Sequence, residues 1–231
     1  MASLVPQFSK INQKYNLIDE NQLILIAVSG GIDSMVLSRT LAEYRLAGYA
    51  SINLIAVHLS ISQVALSKEH LDKIKDLLAS WHIPLEIISG KVLVKDKFDC
   101  YACARERRRQ LFRYAADNHC DAVALGHNLD DYLETGLMNL IYHGRLESLQ
   151  PVQFMFNNKV RVIRPLLDIS KKHILASARA NSIQAVASPC IFQNDNQRQN
   201  IRETMCVLTH QNRNFRANLR RAINHWNNLD I

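Results

Sequence analysis

Two rhythms of apolar and polar positions alternate along this chain of 231 residues. Short, unbroken apolar runs rich in branched side chains are the pattern of strands buried on both faces of a parallel sheet. Longer segments that return an apolar residue every three or four positions are the pattern of amphipathic helices. The first rhythm predicts strands over 23–28, 52–59, 85–89, 122–126 and 160–163. The second predicts helices over 33–47, 63–81, 104–118, 129–142, 170–181, 196–208 and 212–227, with Ser170 as an N-cap. Strand and helix take turns, which is the sign of βαβ units. The expected fold class is therefore α/β, a doubly wound, mainly parallel sheet closed by C-terminal helices. With no internal repeat and no low-complexity linker, one domain over 1–231 is expected, ending in a basic helical segment over about 196–231.

Composition narrows the setting. No long uncharged apolar run supports a transmembrane span, and residues 1–10 lack the basic and apolar blocks of a secretory signal, so a cytoplasmic protein without membrane contact is expected. The formal net charge is +7, and its excess is concentrated. Arg105, Arg107, Arg108, Arg109 and Arg113 crowd one helical segment, and Arg198, Arg202, Arg213, Arg216, Arg220 and Arg221 load the last quarter. Guanidinium groups suit phosphate, so a polyanion partner is indicated, RNA first among them. Five cysteines in a cytosolic chain read as metal ligands or catalytic thiols before disulfides.

The chemistry begins at Ser29-Gly30-Gly31-Ile32-Asp33-Ser34, between the first strand and the first helix of that alternation. Two glycines let the backbone approach an anion, and a helix N-terminus behind them adds a positive dipole. The loop lacks the GKS/T of a Walker A sequence and the GxGxxG of a dinucleotide fingerprint. It resembles the SGGxDS signature of the PP-loop ATP pyrophosphatases. That resemblance implies an enzyme that binds ATP at Ser29, Gly30, Gly31, Asp33 and Ser34, transfers AMP to a substrate oxygen and releases pyrophosphate. Ile32 stands where many thiolating members carry Lys.

A second stretch, Gly126-His127-Asn128-Leu129-Asp130-Asp131-Tyr132-Leu133-Glu134-Thr135, follows another predicted strand. Asp131 and Glu134 are three apart on a helix, so both carboxylates can serve Mg²⁺ beside a polyphosphate, or can simply favour the helix start. The stretch resembles the family's GHNxDDxxET element, which implies that Gly126, His127 and Asp131 lie at the nucleotide or substrate, with Asp33 nearby. His58, at the end of a predicted strand, is either an adenine contact or a plain strand-end histidine.

The cysteines choose among branches. Cys100-x-x-Cys103 alone suits zinc, an iron–sulfur cluster or redox chemistry. Cys190 follows much later, after Pro189, while Cys120 and Cys206 lack such context and are expected to pack. Together with Arg164-Pro165-Leu166 and Asn196-Gln197-Arg198-Gln199, the chain from about 24 to about 204 resembles the tRNA 2-thiocytidine synthetase family. The resemblance implies a [4Fe–4S] cluster on Cys100, Cys103 and Cys190, with one iron left open for sulfide. Gln193 stands where that family's last cysteine falls, which argues against a Cys₄ zinc site. It also implies thiolation of a tRNA cytidine, at anticodon-loop position 32: the C2 oxygen attacks the α-phosphate, and sulfide then displaces AMP. Catalytic roles fall to Asp33, Asp131 and Cys190, and RNA contact to Arg105, Arg107, Arg108, Arg109, Arg198 and Arg202. ATP, Mg²⁺ and the cluster are the implied cofactors. The implied partners are tRNA, a sulfur donor such as a cysteine desulfurase, and, as an assembly, a homodimer.

Two other enzyme branches and one binding role compete. A lysidine-synthetase-like ligase fits SGGIDSM, His58 and Asn200-Ile201-Arg202 but needs no CxxC. Wobble-uridine thiolases typically bear terminal zinc fingers, for which neither end of this chain has the cysteines. A non-catalytic RNA-binding protein would not need Asp33, Ser34, Asp131 and the three ligand cysteines.

Overall fold

Strand β1 (Leu23–Ala27) sits inside a six-stranded sheet, and its residues alternate between two cores. Ile24 and Ile26 enter the cluster on one face, and Leu25 enters the cluster on the other. This two-faced burial is why the strand is apolar without a break. The chain is described by a computed structural model, which covers residues 3–61, 65–90, 100–156, 159–184, 186 and 196–227, with backbone alone at 100–103 and 196.

The other strands are β2 (Asn53–Ile61), β3 (Leu85–Gly90), β4 (Ala122–Ala124), β5 (Val152–Met155) and β6 (Val160–Ile163). Their order is β3-β2-β1-β4-β6-β5, parallel throughout except for the antiparallel β5–β6 hairpin at one edge. Helices α1 (Val5–Tyr15), α2 (Ile32–Leu46), α3 (Lys68–Ser80) and α6 (Lys171–Ala180) contribute to the larger core, through Phe8, Leu37, Leu78 and Ile174 among others. Helix α4 (Cys100–Asp117) covers the opposite face with Leu111, Phe112 and Ala115. Helices α5 (Leu129–His143), α7 (Asn196–Gln211) and α8 (Phe215–Trp226) build a third cluster from Tyr132, Leu133, Ile201, Met205 and Ile223. The expected doubly wound, mainly parallel sheet is the observed one.

Several expected elements differ. Helix α1 and strand β5 were not among those expected: α1 spaces its buried Val5, Phe8 and Ile11 among polar residues, and β5 is a four-residue edge strand with two exposed positions. Strand β4 ends at Ala124 and not at 126, which leaves Gly126 and His127 in the loop. Strand β2 runs on to Ile61, so His58 lies within a strand and does not end one. Helix α3 starts at Lys68, where the Ser67 hydroxyl accepts the His70 N–H as N-cap. Helix α4 starts four residues before the expected 104, so Cys100 and Cys103 both belong to its first turn. Cys206 is exposed and does not pack, because α7 turns Met205 inward and the next residue points about 100° away. No helix among the described residues is long and apolar enough to cross a membrane.

Candidate active site

The sheet order changes direction between β1 and β4, since β1 leads outward to β2 on one side while β4 leads to β6 on the other. At such a switch point the loops leaving the carboxyl ends of two adjacent strands frame a crevice. Here those loops are Ser29–Gly31 and Leu125–Asn128. The second meets the first turn of α2, which directly follows the first loop, at Gly126, where an added Cβ would lie 3.1 Å from the Asp33 carbonyl carbon and 3.2 Å from the Ser34 nitrogen. Only glycine lets the two backbones come this close.

Two hydroxyls fold the first loop on itself. Ser34 Oγ donates to the Gly31 carbonyl at 2.8 Å and accepts the Ser29 N–H at 3.3 Å, and Ser29 Oγ accepts the Gly31 N–H at 3.3 Å. Gly30 has φ +84, in the left-handed region open to glycine, and Ile74 Cδ1 would lie 3.0 Å from a Cβ there. Its carbonyl accepts the Val186 N–H at 3.0 Å, which fastens the chain beyond α6 to this loop. No side chain caps α2 at Gly31, so the helix presents its N-terminal N–H groups and positive dipole at the crevice.

The second loop is organised by Asn128, which is buried. Its Oδ1 accepts the N–H groups of Asp130 and Asp131 at 2.8 and 3.2 Å, and its own N–H donates to Asp131 Oδ2 at 2.9 Å, a complete capping box for α5. Its Nδ2 also donates to Asp33 Oδ1 at 3.2 Å, tying the two loops together. Asp131 thus serves the helix start and still lies close enough to Asp33 to feel its charge. Burial, first, and then that neighbouring carboxylate push the Asp131 carboxyl above its usual range, against the bond from the Asn128 N–H. Two carboxylates that disfavour each other are a donor set suited to a cation.

Glu134, the expected companion of Asp131, is also felt by that carboxyl but has a partner of its own. Arg202 Nε reaches both Glu134 oxygens at 3.1 Å, and this bond raises the guanidinium pKa. Asp130 is also committed: its Oδ1 accepts from Arg216 Nη2 at 2.5 Å and its Oδ2 from the Lys171 backbone N–H at 2.7 Å. Among the described residues, no group of three or more His, Cys, Asp or Glu side chains is arranged to hold a metal alone. Mg²⁺ seldom needs one, because it takes one or two carboxylates and completes its shell with phosphates and water.

His127 is held from behind by Arg164, a buried arginine whose Nε donates to His127 Nδ1 at 3.4 Å. The other arms of that guanidinium donate to the Gln150 carbonyl at 2.5 Å and to Gln153 Oε1 at 3.0 Å. Burial, then the charges of Arg164, Arg198 and Arg108, lower the His127 pKa to about 3. The imidazole is neutral, and a proton donor on Nδ1's far side, Nε2–H, remains for a ligand. Arg164 itself is lowered by burial to about 10 and stays charged at neutral pH.

His58 is buried at 3% exposure, with Nδ1 2.9 Å from the Val28 carbonyl, and burial lowers its pKa. It props the end of β1 just before the loop. Arg105, Arg108 and Arg109 are exposed on α4 and Arg107 is half-buried there, while Arg198 opens α7. Cys100 and Cys103 share the first turn of α4, and Cys190 lies outside the described residues. Three contributors escaped the sequence reading. Asn128 was detectable from the Asn-x-x-Asp capping pattern. Arg164 stands in the Arg164-Pro165-Leu166 stretch without a role assigned to it, and Lys171 had no local signal, since its Nζ binds Asp33 Oδ2 at 2.5 Å across 138 positions.

The sequence profile of the PP-loop domain family matches residues 4–208. The tRNA-cytidine(32) 2-sulfurtransferase of Geobacter metallireducens is 31% identical over 217 residues, which span 90% of this chain and 84% of that one. Its counterpart from Methylococcus capsulatus is 32% identical over 183 residues, 76% of this chain and 62% of its own length. Among solved structures, the U34-tRNA thiolase NcsA from Methanococcus maripaludis, determined with its [4Fe-4S] cluster, aligns with a TM-score of 0.78 at 22% identity. That alignment covers 95% of this chain and 77% of NcsA, and the likeness is one of fold. With its two loops meeting at the switch point and its sequence matched along nearly its whole length, this chain belongs to the PP-loop family and, within it, to the tRNA-cytidine(32) 2-sulfurtransferases.

Proposed function

We propose that this chain is an ATP-dependent tRNA thiolase of the cytoplasm, which adenylates C2 of the cytidine at anticodon-loop position 32 and replaces its oxygen with sulfur. The observation that carries this reading is the junction at Gly126, which sets the Ser29–Ser34 cradle, Asp33, Asp131 and His127 around one crevice. The cradle and the start of α2 hold the triphosphate. Asp33 and Asp131 would hold Mg²⁺, which would offset the charge of the α-phosphate and of the pyrophosphate leaving group. His127, neutral and backed by Arg164, donates Nε2–H to a phosphate or pyrimidine oxygen without adding charge. The C2 oxygen attacks the α-phosphorus as the bond to pyrophosphate breaks. Sulfide then adds at C2, and AMP departs with the oxygen.

Cys100, Cys103 and Cys190 are three soft donors that suit a [4Fe–4S] cluster, and Gln193 denies zinc a fourth thiolate. When bound, the cluster supplies an iron without a protein ligand at which sulfide can be held. A cysteine desulfurase is the expected source of that sulfur. The exposed face of α4, with Arg105, Arg107, Arg108 and Arg109, and Arg198 of α7 take the RNA backbone, while the target base is unstacked into the crevice.

The test is anaerobic incubation of the purified chain with ATP, Mg²⁺, sulfide and tRNA, followed by nucleoside mass spectrometry. The sample should be brown, with iron and sulfide at about four each per chain, and should yield 2-thiocytidine with AMP and pyrophosphate. Cys190→Ser should lose thiolation and retain ATP binding. Asp131→Asn should lose turnover about a hundredfold or more, yet unfold at or above the wild-type temperature. Its raised pKa means that the Asp131 carboxylate weakens the fold above that pKa, a penalty the amide lacks. Undiminished thiolation by Cys190→Ser, or none by the wild type, would overturn the reading.

A further inference from the structure

The loop that cradles the phosphates carries no basic side chain between Ser29 and Ser34. Position 32 cannot supply one, because Ile32 packs against the main hydrophobic core. Four of the cations around the crevice are spent on the protein itself. Arg164 is buried against His127, Gln150 and Gln153. Arg202, Arg216 and Arg220 are paired with Glu134, Asp130 and Asp168. A magnesium nucleoside triphosphate still brings net negative charge to a site that already contains Asp33 and Asp131.

Lys171 meets that need. It is the first residue of α6, and its backbone N–H is fixed on Asp130 Oδ2 at 2.7 Å, with Asp130 in turn held by Arg216. From that anchor its side chain crosses to the phosphate loop, where Nζ lies 2.5 Å from Asp33 Oδ2. Both partners keep contact with solvent, at 38% and 30% side-chain exposure, so the pair is not sealed beneath the crevice.

We infer that Lys171 is the polyphosphate-binding cation of this site, delivered to the loop by α6 and parked on Asp33 until nucleotide arrives. An anion entering the cradle meets an ammonium already within one side-chain rotation, on a backbone tied to Asp130. Lys171 thereby selects for ligands with a β–γ phosphate tail over nucleosides. This rests on the reading of the loop as an ATP site.

Calorimetric titration with the magnesium salt of α,β-methylene-ATP and, separately, with adenosine distinguishes the two claims. Lys171→Met should weaken the triphosphate analogue about ten- to a hundredfold and leave adenosine unchanged. Lys171→Arg should restore most of the loss. Wild-type affinity in Lys171→Met, or an equal loss for both ligands, would overturn the assignment to Lys171 while leaving the ATP site standing. A wild-type chain that binds no triphosphate would overturn the ATP reading and this inference with it.

Discussion

Two arginine-rich stretches look alike in the sequence and behave differently in the fold. In α7 and α8, Arg202, Arg216 and Arg220 reach Glu134, Asp130 and Asp168, so they clamp the C-terminal helices to α5 and to the chain before α6. In α4, Arg109 closes on Glu106 within the same helix, but Arg107 and Arg108 have no carboxylate partner among the described residues. Their charge instead reaches the site, where Arg107 is felt by His58 and Arg108 by His127 and Arg164. Arg198 sides with α4 in this respect, since His127 and Asp131 both sense it. Composition marks a basic surface, whereas pairing separates the cations that dock a helix from those without a carboxylate partner among the described residues.

The separation can be broken directly. Arg107→Ala with Arg108→Ala should weaken tRNA binding about ten- to a hundredfold near 0.1 M salt and lower the log–log salt slope by about two. Its unfolding temperature should stay at the wild-type value. The triple variant Arg202→Ala, Arg216→Ala, Arg220→Ala should do the reverse. Three partly exposed pairs at about 0.5–1 kcal/mol each lower the unfolding temperature by about 3–12 °C, with the salt slope changed by less than about one. Exchanging Asp168 and Arg220 should restore part of the stability. If the triple variant lost RNA affinity as α4 does, with no change in unfolding, the division would be wrong.

The smallest effect reads both regions at once. By nuclear magnetic resonance His127 should titrate near about 3, and both Arg108→Ala and Arg198→Ala should raise that value by removing a neighbouring positive charge. Because the folded-state pKa lies below the ordinary histidine value of about 6.5, the stability it confers is complete above that pH and drains away as pH falls toward about 3. His127→Asn should flatten that part of the acid unfolding curve. A wild-type His127 titrating near 6.5 would remove this link.

What was legible in the sequence depended on how local the cause is. Strand β1 announces itself because both its faces are buried, and Ser29–Ser34 and Gly126–Asp131 do so because turn, glycine and helix start are neighbours in sequence. Ser170 was visible as the residue before α6, although its hydroxyl pairs with the His173 ring and not with the helix backbone. Edge strand β5 lacks a two-faced burial pattern, and α1 spreads three buried residues through a polar segment. The contacts of Lys171 and Arg164 stayed hidden for a different reason: their partners lie 138 and 37 positions away, and only the completed sheet brings them together.

The bond from Asn128 to Asp33 spans 95 positions and that from Lys171 spans 138. Contacts of such reach close long loops before they are rewarded and form slowly. No fragment shorter than the stretch from Ser29 to Lys171 can assemble the crevice, so a nascent chain gains helices and a partial sheet well before it gains a nucleotide site. Catalytic competence therefore arrives as one of the last events of folding, and nucleotide has little to grip on any incomplete form.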